Sequence, residues 1–133
     1  MFDITLKNGE SYKESDFYSP GSELKITKVL GHSVGHTICY DLRYPKLYRT
    51  LAKKGSQIIV VPSAFTHTTG KAHWHSLIKA RAIENGVFIL APNQWGVNNE
   101  KRVTYGHTLI VDPWGETLAE AEDGEMIIAA ELD

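Results

Sequence analysis

The chain of 133 residues has a single cysteine, Cys39, so it can form no internal disulfide. That points to a reducing compartment, the cytosol. It has no apolar run approaching the roughly 20 residues of a membrane helix. Its start, Met-Phe-Asp-Ile-Thr-Leu-Lys, lacks the basic stretch and apolar core of a secretory signal. It lacks an excess of either charge: 14 basic against 16 acidic side chains leave a net charge of −2. Nucleic acid is therefore excluded as the main partner. It lacks low complexity as well, with 11 Gly and 5 Pro scattered along it. What is present is an ordinary apolar fraction, 42%. That is enough for one domain with one core, and it argues against disorder.

The first 21 residues read as a polar loop rather than as a first strand or helix, and a compact domain rarely opens that way. Residues 24–29 alternate, which predicts a strand. Gly31 to Gly35 interrupts, and the β-rich run 36–40 reads as a buried strand. Asp41 is a candidate N-cap for a helix over 42–54, with Leu47, Leu51 and Ala52 at helical spacing and Gly55 beyond its end. Pro45 falls in its first turn, where a missing N–H costs little. Lys46, Arg49, Lys53 and Lys54 form its solvated side. The β-branched run 57–61 predicts a strand buried on both faces. Residues 65–70 read as loop. A helix over 72–85 carries Trp74, Leu77, Ile78 and Ala82, and Gly86 ends it. A strand over 87–91 and a loop over 93–101 follow. Strands at 108–111 and 116–121 around the turn 112–115 predict a hairpin, and 126–132 a last strand. Trp74 and Trp114 read as packing anchors. The order indicates an α/β domain with a mixed sheet and, by right-handed crossovers, both helices on one face.

Cys39 carries the strongest chemistry. It stands where a predicted strand gives way to a helix, the end at which α/β sheets collect their active groups. A helix N-terminus there would stabilise a thiolate, and the Tyr40 N–H could serve as an oxyanion donor. A lone cysteine is also commonly a small buried apolar residue. Asp41 and Arg43 read first as a cap and an ion pair bracing the turn, and only then as site residues. Glu14, taken alone, is a solvated loop charge. None of the six histidines is singled out by spacing as a base for Cys39. His73 and His75, two apart on a helix, face different directions, so no metal site is expected.

Ile38-Cys39-Tyr40-Asp41-Leu42-Arg43-Tyr44-Pro45 resembles the cysteine motif of the nitrilase (carbon–nitrogen hydrolase) superfamily. Pro62-Ser63-Ala64-Phe65, Thr69-Gly70, Ala72-His73-Trp74, Ala80-Arg81-Ala82-Ile83-Glu84, Tyr105-Gly106-His107 and Val111-Asp112-Pro113-Trp114-Gly115 resemble its Nit-type amidase branch, in order. The resemblance implies an αββα sandwich, usually dimeric, with the two helices contributing to the dimer contact. It implies hydrolysis of small linear amides through a cysteine acyl-thioester, with no cofactor and no metal. Cys39 takes the nucleophile's place. Glu14, in Lys13-Glu14-Ser15, takes that of the family's second glutamate, which helps hold the lysine and the substrate. Asp41 and Arg43 support the site.

Met1-Phe2-Asp3 matches only the tail of the family's Arg-Lys-x-His-Leu-Phe-Asp stretch. The resemblance thus implies a partial domain over 1–133, its catalytic lysine and first glutamate falling upstream in an absent N-terminal half. Such a chain would need that half for activity and would associate readily through uncovered apolar surface. His75 departs from the glutamate that many relatives carry there. The alternative reading is a non-catalytic remnant, a binding or oligomerisation module that keeps the fold.

Overall fold

A computed structural model describes residues 1–7, 9, 11–99 and 102–133. Its centre is a six-stranded mixed sheet built from β3 (Lys25–Val29), β4 (His32–His36), β5 (Ile58–Val60), β6 (Phe88–Ala91), β9 (Leu109–Val111) and β10 (Thr117–Glu120), in the order β10-β9-β6-β5-β4-β3. β4, β5 and β6 are parallel, and the outer pairs are antiparallel. Two helices, α1 (Pro45–Lys53) and α2 (His67–Asn85), supply the crossovers and pack on each other.

Strand alternation divides the sheet into two apolar faces. Ile59, Ile89 and Val111 stand in register and share one buried core with Tyr48 and Leu51 of α1 and Trp74, Ile78 and Ala82 of α2. The intervening residues point the other way. Val34 and Ile110 there are nearly buried, while Ile58, Val60, Phe88 and Leu90 are half-buried. The α/β class, the mixed sheet and the hairpin over 109–120 agree with the sequence reading. So does the exposed basic side of α1, with Pro45 in its first turn. Among the described residues, no helix is long and apolar enough to cross a membrane.

Several boundaries differ, each for a local reason. The strand expected over 36–40 lies at His32–His36, because Leu30 and Gly31, at φ 49° and 87°, form a two-residue hairpin turn. Residues 39–43 form a 3₁₀ turn instead, so the helix expected from 42 is split before Pro45. Asp41 lies inside that turn rather than at its N-cap, and its Oδ2 accepts from the Ile38 amide at 2.9 Å.

α2 starts five residues early. Thr66 caps it, its Oγ1 accepting from the Thr69 amide at 3.3 Å, so the threonines that read as loop make the first turn.

The opening segment contains a small hairpin, β1 (Asp3–Thr5) with β2 (Ser11–Lys13), in which Ile4 faces Tyr12, followed by a 3₁₀ turn over Glu14–Asp16. The loop expected over 93–101 contains β7 (Trp95–Asn99), paired with β8 (Arg102–Tyr105) in a separate ribbon; Glu100 and Lys101 lie outside the described residues. Residues 126–132 alternate but find no neighbouring strand among the described residues, and Ile127 is 98% exposed. Trp114, expected as a packing anchor, is 86% exposed. Trp74 is fully buried, and its Nε1 donates to the His107 carbonyl at 2.7 Å.

Candidate active site

The segments that leave the carboxyl ends of β4, β5 and β6 converge on one open cavity of about 970 Å³. The parallel strands therefore put residues 38–43, 62–66 and 92–94 around the same crevice. The N-terminal hairpin adds Phe2 and Glu14, and β8 adds Arg102.

Cys39 is half-buried at this site, three residues beyond the end of β4. Its amide donates to the Pro62 carbonyl at 2.9 Å. Its φ is 43°, a left-handed conformation that costs a residue with a Cβ on the order of 1–2 kcal/mol. Burial pushes the Cys39 thiol up from its ordinary value. The Ala64 amide and the Ser63 hydroxyl pull it back, the Glu14 charge raises it and the Arg102 charge lowers it. The thiolate stabilisation expected from a helix N-terminus is thus outweighed by desolvation, and the turn that Cys39 opens is only five residues long.

Glu14 lies in the cavity wall. Its Oε2 accepts from the Phe2 amide at 2.7 Å. Tyr40 lines the cavity beside Phe2, with ring centroids 5.2 Å apart. Asp41 braces the turn through Ile38, and no ion pair joins it to Arg43. Arg43 instead lies over the rings of Tyr40 and Phe65, at 5.7 and 5.5 Å, and Nη2 donates to His73 Nδ1 at 3.4 Å. All five residues singled out in the sequence line one cavity.

Three further groups acquire a role from the folded structure. Ser63 and Arg102 both act on the Cys39 thiol. Arg102 reaches the Ala64 carbonyl at 3.3 Å, while its Nε is buried without a hydrogen-bond partner among the described residues. Asn93, 7% exposed, accepts from the Phe65 amide at 3.0 Å and donates to the Gly106 carbonyl at 2.6 Å, tying two walls together. Ser63 and Asn93 form a bridge in line with the parallel strands, a placement that only the folded sheet makes visible. No lysine stands among the described lining residues.

Comparison with known proteins finds similar chains. A deaminated glutathione amidase of Yersinia enterocolitica is 42% identical over 134 residues, covering all of this chain and 47% of that protein. The probable hydrolase nit2 of Schizosaccharomyces pombe is 43% identical over 137 residues, covering all of this chain and 50% of that protein. The crystal structure of the Caenorhabditis elegans NitFhit protein superposes with a TM-score of 0.85 at 40% identity, over 92% of this chain and 30% of that one. The chain spans about half the length of the curated relatives it matches. The family described as Carbon-nitrogen hydrolase matches residues 1–133 throughout, and the chain belongs to that family.

Proposed function

We propose that residues 1–133 carry the cysteine half of an amidase site acting on small linear amides, with Cys39 as nucleophile. The observation that carries this is the strained Cys39, held at the meeting of three parallel-strand ends beside Ser63, Ala64 and Glu14. The thiol gives up its proton, and sulfur attacks the amide carbon to form a C–S bond. The C–N bond then breaks, and the nitrogen leaves as ammonia after taking a proton. Water attacks the acyl-thioester, releasing a carboxylic acid and returning the thiol. The Tyr40 N–H serves as an oxyanion donor, and Glu14 holds substrate and neighbouring groups in place. Asp41 and Arg43 keep the turn and its aromatic wall rigid.

The general base and a cationic oxyanion partner come from an N-terminal half that 1–133 does not include. The chain's coverage of about half of its relatives' length supports this, as does the upward displacement of the Cys39 thiol, which a nearby ammonium would oppose. The substrate to try first is deaminated glutathione, by likeness to the named amidases. Its carboxylates would find Arg102 in the cavity wall. A homodimer in a reducing compartment completes the reading. Exposed Ile83 on α2, beside the exposed Trp114 turn, supports an oligomer contact.

The test measures ammonia release from deaminated glutathione and simple amides. It compares 1–133, a version extended upstream through the Arg-Lys-x-His stretch, and the extended version with Cys39→Ala. Activity is expected from the extended chain alone. Robust activity from 1–133, or an active Cys39→Ala chain, would overturn the proposal. The raised thiol also favours a second reading, a non-catalytic module. That reading expects Cys39 to stay unreactive to alkylation even in the extended chain.

A further inference from the structure

Away from the cavity, side chains from three separate elements meet at the surface. His75 lies in α2, His107 in the connection between β8 and β9, and Glu120 at the end of β10. One carboxylate oxygen, Glu120 Oε1, stands 2.9 Å from His75 Nε2 and 2.7 Å from His107 Nδ1. The three donor atoms lie within 4.8 Å of one another. Each side chain is about one third exposed, so solvent reaches the group from one side.

The His107 backbone is unusual. Its φ of 56° is left-handed for a residue with a Cβ, and the buried Trp74 indole fixes its carbonyl at 2.7 Å. Its ring stacks on Tyr105, with centroids 4.4 Å apart. A strained residue persists only where its surroundings over-determine it, and such positions cluster at sites that use the strain. Here the surroundings aim one imidazole at a carboxylate that a second imidazole already faces.

We infer that His75, His107 and Glu120 form a binding site for a divalent transition-metal cation, of which Zn²⁺ is the representative. Two imidazole nitrogens and one carboxylate oxygen are a donor set such cations take, with water in the open position. Metal-bound donors in a tetrahedral site stand about 3.3 Å apart, so Glu120 must retreat by roughly half an ångström from each nitrogen, while the two imidazole nitrogens, which lie within 4.8 Å of each other, must draw together. Its place on the edge strand β10 leaves it room to do so.

Local spacing hides this site. The three residues lie 32 and 13 positions apart in sequence, and only the fold joins them. The ion would clamp α2, the β8–β9 connection and the edge strand together. It would also stiffen the cavity wall, because Gly106, next to His107, is bonded to both Asn93 and Gln94.

The test titrates Zn²⁺ into the tag-free 133-residue chain by calorimetry and records thermal melts with and without the ion. One ion per chain and a raised melting temperature are expected. His75→Gln and Glu120→Gln should each weaken binding about tenfold or more. His73→Gln, on the same helix but outside the group, should bind as the unaltered chain does. Circular dichroism of each variant confirms that it is folded before titration. No saturable one-to-one binding by the unaltered chain, or equal affinity in folded His75→Gln and Glu120→Gln, overturns the inference.

Discussion

Gly70 offers a sharp test of how α2 is seated, because two effects of opposite sign compete there. Replacing a helical glycine by alanine ordinarily stabilises by about 1 kcal/mol. At this position, however, a Cβ would stand 2.3 Å from both Cβ and Cγ of Tyr105 and 2.6 Å from its Cδ1. Carbon atoms pack at about 3.5–4.0 Å, so one side must retreat by more than 1 Å. The contact falls on the root of the tyrosine, which cannot swing aside.

The Tyr105 amide donates to the Phe65 carbonyl at 2.9 Å, its backbone pairs with Trp95, and its ring stacks on His107. A clash this close falls at the upper end of overpacking costs, about 3 kcal/mol, so after the helix gain of about 1 kcal/mol Gly70→Ala should destabilise by ~2 kcal/mol net. For a chain of this size that is a fall of about 7 °C in melting temperature. Thermal melts by circular dichroism would measure it. Gly21→Ala is the control: no atom lies within 4 Å of its Cβ position, and its melt should move by no more than about 0.5 kcal/mol. A Gly70→Ala chain that melts at or above the unaltered chain would refute the packing argument.

Three further outcomes can be checked. Because burial raises the Cys39 thiol and only the thiolate is alkylated, the iodoacetamide rate of 1–133 should climb at higher pH than that of a cysteine peptide. Ser63→Ala should move the climb higher still, since the Ser63 hydroxyl favours the thiolate; a profile matching the free peptide would contradict both. Asn93→Ala should destabilise by about 2–4 kcal/mol, because it strips the partners from the Phe65 amide and the Gly106 carbonyl in a buried setting. Denaturant unfolding that shifts by less than half of that would show the two walls to be held otherwise.

Sequence pattern reached the layers of this fold but not its corners. The runs around 57–61 and 87–91 are long enough in β-branched and apolar residues to be seen, and they are the parallel centre of the sheet. Thr66, Thr68 and Thr69 were hidden because the same hydroxyl that weakens a helix interior caps its start, and only the Thr66–Thr69 geometry tells the two apart. The N-terminal hairpin was hidden because three-residue strands carry too little alternation to register. Residues 126–132 show the converse: alternation without a neighbour makes no strand. At the site, Cys39, Glu14, Tyr40, Asp41 and Arg43 were legible through motif resemblance. The roles of Ser63, Asn93 and Arg102 were not, because those roles rest on adjacency across strands.

The left-handed turn at residue 39 sets two demands against each other at one position. Folding alone would place glycine there, the one residue for which φ near 43° carries no Cβ penalty. A thiol at this point is therefore held against the preference of its own backbone, and the strand ends around it supply the restraint. Cys39→Gly should yield a chain that folds at least as well while losing its only sulfhydryl. The foldability of residues 1–133 and the reactivity of their cavity can in that way be varied separately, by one atom's attachment at one α-carbon.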